Sequence, residues 1–221
     1  NLSNTTLHFF NTMSFSVYQL KPGFQRLLQP LVKGLAHAGV SPNQVTLATA
    51  SLMLVYGILL AWSNAPLLWF GLPLVLLLRM ALNALDGMLA TSTQQMTRLG
   101  AVLNELGDQL SDAALYLPFA LLPGVHPALV VVVVVLASST EIAGLAALAA
   151  GSPRRFDGPM GKSDRAVAFG LLGLMVGTHA AAVWLNALLG AVLLLLLLTI
   201  ANRVRLAIAF EPTTKDVQQK L

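Results

Sequence analysis

The sequence contains no cysteine, so it can build neither a disulfide framework nor a thiolate metal site. Charge is scarce too. Only 10% of the 221 residues are Asp, Glu, Lys or Arg, and nine of those are acidic. Aromatic residues make up 7% and nowhere interleave with a basic run, so no nucleic-acid partner is expected. Hydrocarbon fills the space these absences leave. With 56% hydrophobic residues and a mean hydropathy of +0.74, the composition is that of an integral membrane protein.

A spanning helix needs roughly 20 apolar residues. Six segments qualify, at about 45–62, 66–90, 100–123, 126–149, 165–184 and 186–208. The turns "SNAP" (63–66), "PGVHP" (123–127) and "HAAAVWLN" (179–186) carry no Lys or Arg. Twelve of the thirteen basic residues fall on the other side, which by the positive-inside rule places both termini and the two polar loops in the cytoplasm. The thirteenth, Arg79, lies inside the second span.

The chain divides accordingly. Residues 1–14 read as a polar segment of upstream or expression-derived origin, unlike a cleaved signal peptide, with Met13 as a candidate start. Residues 15–44 form an amphipathic juxtamembrane helix and lead-in, entered or kinked at Pro22 and Pro30 and stopped at Gly39. That helix either lies along the membrane surface or is a simple polar lead-in. A six-helix transmembrane domain (45–208) and a cytoplasmic tail (209–221) follow.

Four of the nine acids fall between residues 83 and 112. On the second span Arg79, Asn83 and Asp86 follow at offsets of four and three, which one helical face carries together. The third span puts Gly100, Asn104, Asp108 and Ser111 on one stripe, and Glu105, Asp108 and Asp112 on a second. The connector 91–99 is short, so Asp86 and Asp108 can face each other. Carboxylates and carboxamides gathered at a membrane interface are oxygen ligands suited to Mg²⁺, Mn²⁺ or Ca²⁺. The competing reading is a solvated helix start, where an acid gains about 0.3–1 kcal/mol from the dipole. It suits Glu105 and fails for Asp86, which sits at the wrong end of its helix.

This spacing resembles the CDP-alcohol phosphatidyltransferase signature D-x2-D-G-x2-A-R-x8-G-x3-D-x3-D. It reads here Asn83-x2-Asp86-Gly87-x2-Ala90-Thr91-x8-Gly100-x3-Asn104-x3-Asp108. The six spans and "SPNQVTL" (41–47) are similar to that family as well, and "RMALNALDGMLA", "LNELGD" and "GKSDRA" to a bacterial inner-membrane subgroup of it.

The resemblance implies an all-α integral membrane fold of six transmembrane helices behind a cytoplasmic surface helix. It also implies transfer of a phosphatidyl group from CDP-diacylglycerol or another CDP-alcohol to a small alcohol, plain or phosphorylated, with release of CMP. Asp108 becomes the general base. Asp86, Asp108, Asn83 and Asn104 become ligands of one or two Mg²⁺ or Mn²⁺ ions, with Glu105 and Asp112 bordering the set. Asn43, Thr46, Gly87, Ala90 and Gly100 fall to the nucleotide, and a homodimer in a bacterial inner membrane is expected. Three positions depart from the signature. Asn83 and Asn104 replace Asp, Thr91 replaces Arg, and the formal charge of the four acidic positions falls from −4 to −2.

The loop 151–166 adds Arg154, Arg155, Lys162 and Arg165, candidates for a lipid or acceptor phosphate, or for lipid-headgroup anchoring. Ser163 and Asp164 are candidate caps of the fifth span, and Ser41 of the first. Glu141 lies inside the fourth span, where it needs a partner; Arg79 or a phosphate is expected. His126 and His179 read as turn residues far from the acids, and no Ser-His-Asp set is visible. Two rivals remain: a protein of this fold that has lost transfer and binds nucleotide lipid or partners, and a small transporter centred on Glu141 and Arg79.

Overall fold

A computed structural model describes residues 21–63 and 65–211. Among them are seven α-helices: α1 (Lys21–His37), α2 (Pro42–Trp62), α3 (Pro66–Ser92), α4 (Arg98–Tyr116), α5 (Pro127–Ala149), α6 (Lys162–Gly177) and α7 (Ala182–Ile208). A 3-10 turn, Leu117–Leu121, continues α4 past Pro118.

Helix ends follow local chemistry. Ser41 caps α2 in a capping box with Gln44, whose side chain accepts from the Ser41 N–H at 2.8 Å, and Pro42 takes the first helical position. Thr97 caps α4 by accepting from the Gly100 N–H at 3.0 Å. Asp164 does the same for α6, accepting from the Gly161 N–H at 3.0 Å. The fifth segment ends at Gly177, earlier than the expected 184, because His179 turns the chain at φ 56° before α7 starts.

Four helices, α2, α3, α5 and α7, are long and apolar enough to cross a membrane by length and composition. The other two expected spans fall short for different reasons. α4 carries Arg98, Glu105, Asp108 and Asp112, and α6 has 16 residues, about 24 Å at 1.5 Å per residue. Large apolar side chains such as Leu74, Ile142, Val183 and Leu194 nevertheless point outward from the bundle.

α3 packs mainly on α6, α2 on α4, and α5 on α7. Trp69, Tyr116, Phe119 and Phe169 fill the centre, with Tyr116 and Phe169 stacked at 3.6 Å between centroids. α1 closes one end by burying Leu28 and Val32 against Val45, Leu85 and Leu89. It contains Pro30 and ends before Gly39, which takes φ 71°. Residues 15–20 of the expected juxtamembrane helix, and the 1–14 segment, lie outside the described residues.

The α2–α4 contact depends on a missing side chain. A Cβ on Gly57 would lie 2.1 Å from the Ala114 carbonyl oxygen, a backbone atom that cannot step aside. Gly57→Val should therefore destabilise by about 1–3 kcal/mol, the usual overpacking cost. Thermal unfolding in detergent checks this, with Gly190→Ala, where no atom lies within 4 Å, as the neutral control.

Candidate active site

One end each of α2, α3 and α6 and the middle of α4 converge on two buried carboxylates. Thr46 Oγ1 of α2 donates to Asp86 Oδ2 at 2.7 Å. Asp108 is engaged on both oxygens. Asn83 Nδ2 donates to its Oδ1 and Lys162 Nζ to its Oδ2. Arg79 Nη2 donates to the Asp108 carbonyl at 2.9 Å and lies 3.4 Å from Oδ1. Asp86 sits within electrostatic reach of both Asp108 and Lys162. The expected facing of α3 and α4 is thus realised, with a lysine from α6 added.

Beneath these groups runs a lattice of buried arginines. Arg79 also reaches Asp112 Oδ1 at 2.9 Å, and Arg165 Nη2 donates to Asp112 Oδ2 at 3.2 Å. Arg165 continues to Glu141 Oε1 at 3.3 Å and to Thr140 Oγ1 at 3.0 Å. Arg203 completes the chain, 3.6 Å from Glu141 and donating to the Thr140 carbonyl at 2.5 Å. All three arginines are at most 1% exposed. Charges this deep are tolerated only when paired.

Several expectations change here. Glu141 does not pair with Arg79, because Arg79 faces α4 while Glu141 on α5 faces α6 and α7; its partners are Arg165, Arg203 and Arg154. Arg165 spends both terminal nitrogens on Thr140, Glu141 and Asp112, and Arg79 Nη2 lies against Asp108 and Asp112, both guanidinium groups being at most 1% exposed. Asp112 lies between those two arginines, and Glu105 takes a bidentate bond from Arg154 at 2.5 and 3.0 Å. Both carboxylates are thus taken up by arginines, and Glu105, one position along from Asn104, also points about 100° off the Asn104–Asp108 stripe. That bond to Glu105 also holds the Arg154 guanidinium above its ordinary value, against partial burial. Arg155 is tied down by Ser152 Oγ and the Leu206 carbonyl, donating at 3.1 and 2.8 Å.

The nucleotide candidates divide. Gly100 and Asn43 meet, a Cβ on Gly100 falling 2.8 Å from Asn43 Oδ1, and Thr46 is bonded to Asp86. Gly87 borders open space, beside an open cleft of about 500 Å³ lined by Arg26, Gln29, Met88 and Thr91. Ala90 is half-buried on α3. His126 and His179 sit in turns; the His126 N–H donates to Asn186 Oδ1 at 3.0 Å. Sequence reasoning missed Arg203, grouping it with the basic tail. Its position inside the 186–208 segment was the signal, since a charge in a span calls for a partner.

Among the described residues, no three His, Cys, Asp or Glu group as metal ligands. The donors that remain are Asp86, Asp108 and the carboxamide oxygens of Asn83 and Asn104. Asn104 Oδ1 is buried and accepts no hydrogen bond among the described residues. This set suits one hard divalent cation, which takes one or two carboxylates and completes its shell with neutral oxygens and substrate phosphate.

The fold and site together define a helical bundle, with helices long and apolar enough to cross a membrane, that gathers carboxylates and carboxamides at one buried point. Residues 39–209 match the CDP-alcohol phosphatidyltransferase family, and the chain belongs to it. It is 48% identical over 191 residues to the inner membrane protein YnbA of Escherichia coli, covering 86% of this chain and 95% of that one. It is also 30% identical over 103 residues to an archaetidylinositol phosphate synthase of Pyrococcus horikoshii, 47% of this chain and 53% of that protein. In fold it is similar to Mycobacterium tuberculosis phosphatidylinositol phosphate synthase with CDP-DAG bound, at a TM-score of 0.71 and 19% identity, over 86% of this chain and 99% of that one. A second structure of that enzyme, in complex with manganese and citrate, gives a TM-score of 0.69 at 18% identity, covering 84% and 92%.

The lattice predicts a contrast in stability. Arg165→Met should cost about 3–5 kcal/mol by leaving buried carboxylates short of a partner. Arg154→Ala, whose pair with Glu105 is about one-quarter exposed, should cost about 1 kcal/mol or less. Denaturation of both variants in the same detergent measures the difference.

Proposed function

We propose that this chain makes phospholipid by transferring a phosphatidyl or similar phospho-alcohol group from a CDP-linked lipid, such as CDP-diacylglycerol, to an alcohol, releasing CMP. Family membership supports phosphotransfer from a CDP-alcohol. The observation that carries the reading is the meeting of Asp86, Asp108, Asn83, Thr46 and Lys162 at one interior point.

In this reading Asp86, Asp108, Asn83 and Asn104 hold Mg²⁺ or Mn²⁺. The bound ion supplies charge stabilisation to the diphosphate. The acceptor oxygen forms a bond to the phosphatidyl phosphorus as the bond to the CMP oxygen breaks, and the alcohol proton passes to Asp108. The Lys162 ammonium lies against Asp108 Oδ2 beside the path of that proton. Lys162 and Arg154, both partly exposed, face the acceptor or lipid phosphate, while Arg79, Arg165 and Glu141 hold the frame. Asn43, Thr46, Gly87, Ala90 and Gly100 border the nucleotide.

The domain 45–208 is read as six spans, α4 and α6 crossing where neighbouring helices shield their charges. The chain lies in a bacterial inner membrane as a homodimer with both termini cytoplasmic, and α1 rests on that membrane face. A second reading, a family protein that retains CDP-lipid binding without transfer, is favoured by Asn83, Asn104 and Thr91 standing at three signature positions.

Purified protein given CDP-diacylglycerol, Mg²⁺ or Mn²⁺ and a panel of alcohols, plain and phosphorylated, should release CMP. Asp108→Asn should reduce that release at least about a hundredfold, the low end of a general base's contribution. Unchanged release in the variant would sink the base assignment. Retained CDP-lipid binding with no CMP from any acceptor would establish the second reading.

A further inference from the structure

Two departures from the family signature and one contact explain each other. Asn83 and Asn104 remove two negative charges where the signature has Asp, and Lys162 brings a positive charge onto Asp108 Oδ2. The lysine is held by its backbone surroundings. It opens α6 directly after Gly161, whose N–H is fixed by Asp164, and after buried Met160, whose N–H donates to Thr199 Oγ1 at 3.0 Å. Three residues on, Arg165 locks the same helix turn into the carboxylate lattice. With its backbone fixed this way, Lys162 reaches Asp108 as a built part of the site.

We propose that the Lys162 ammonium takes the place of a second divalent ion, making this a one-metal centre with a fixed protein cation on Asp108. The inference rests on reading the site as a CDP-linked phosphotransfer centre. Formal charge favours it. Asp86, Asp108 and Lys162 together carry −1, so one divalent ion brings the group to +1 and two would bring it to +3. Four Asp with two divalent ions come to zero. A group at +1 meets a diphosphate without strong self-repulsion, and a fixed ammonium is a compact point charge for its oxygens. Asn104 Oδ1, buried and without a hydrogen-bond donor among the described residues, supplies a neutral ligand to the one ion.

Metal counting tests this without reference to turnover. Mn²⁺ titrated into the purified full chain in detergent, with free Mn²⁺ followed by electron paramagnetic resonance, should saturate at one ion per chain. Two ions, or none, would overturn the proposal. Lys162→Met should keep one ion and bind it about tenfold more tightly, because a like charge has been removed nearby. Lys162→Arg should keep the wild-type affinity. An unchanged affinity in Lys162→Met would also overturn the proposal. Adding Asn83→Asp and Asn104→Asp to Lys162→Met should raise the count to two. The wild-type count needs no variant to fold. CMP release by a two-ion chain would leave the transferase reading intact while refuting this one. A one-ion chain that released no CMP would do the reverse.

Discussion

Pairing of buried arginines with carboxylates is the constraint on which the rest of this bundle depends. Arg79 from α3, Arg165 from α6 and Arg203 from α7 meet Asp112 from α4 and Glu141 from α5, so one ionic chain crosses five helices. In a bilayer there is little hydrophobic force between helices, because lipid is as apolar as leucine. An ionic chain that pays a large penalty when any member is missing therefore fixes which helices touch and in what register. The outward Leu and Val side chains are interchangeable by comparison. Loop 150–161 obeys the same constraint: Arg203 Nε donates to the Asp157 carbonyl at 3.2 Å, and Gly158, at φ 119°, packs on Thr199 where a side chain would collide.

Much of this was legible in the sequence, and the failures have a common cause. Ser41–Pro42 and Asp164 mark helix starts through chemistry that spans four residues, so local reading finds them. The signature was equally accessible, because its residues sit on two consecutive helices joined by a short connector. Pairing across the bundle was not. Nothing in the spacing of Arg79 and Glu141 reports that α3 lies against α2 and α6 while α5 lies against α7. The Lys162–Asp108 contact was hidden for the same reason, joining residues 54 positions apart. Span length misled differently. Apolar residues continue past Gly177, but the helix does not, since the backbone turns through His179.

The lattice also separates structural acids from reactive ones. Asp112 and Glu141 each touch two or more guanidinium groups, and Glu105 is held bidentately by one. Guanidinium contacts of that kind hold these carboxylates in place as parts of the frame. Asp108 differs, since its partners are Asn83, Lys162 and the edge of Arg79, and the lysine beside it is partly exposed, so this carboxylate sits at the edge of the lattice and not inside it.

Asp86 stands apart from all of these. Each of the other four acids in the cluster has a cation within 4 Å, whereas Asp86, 4% exposed, has as its side-chain partner the Thr46 hydroxyl. A hydroxyl offsets only part of what burial costs a carboxylate. Its negative charge is therefore the one in this cluster with no cation beside it, and the Thr46 hydroxyl and the Gly87 backbone are its neutral partners. A divalent cation entering this site meets that charge first. In the proposed transfer, that balance makes Asp86 the anchor of the ion and leaves Asp108, paired with Lys162, for the proton.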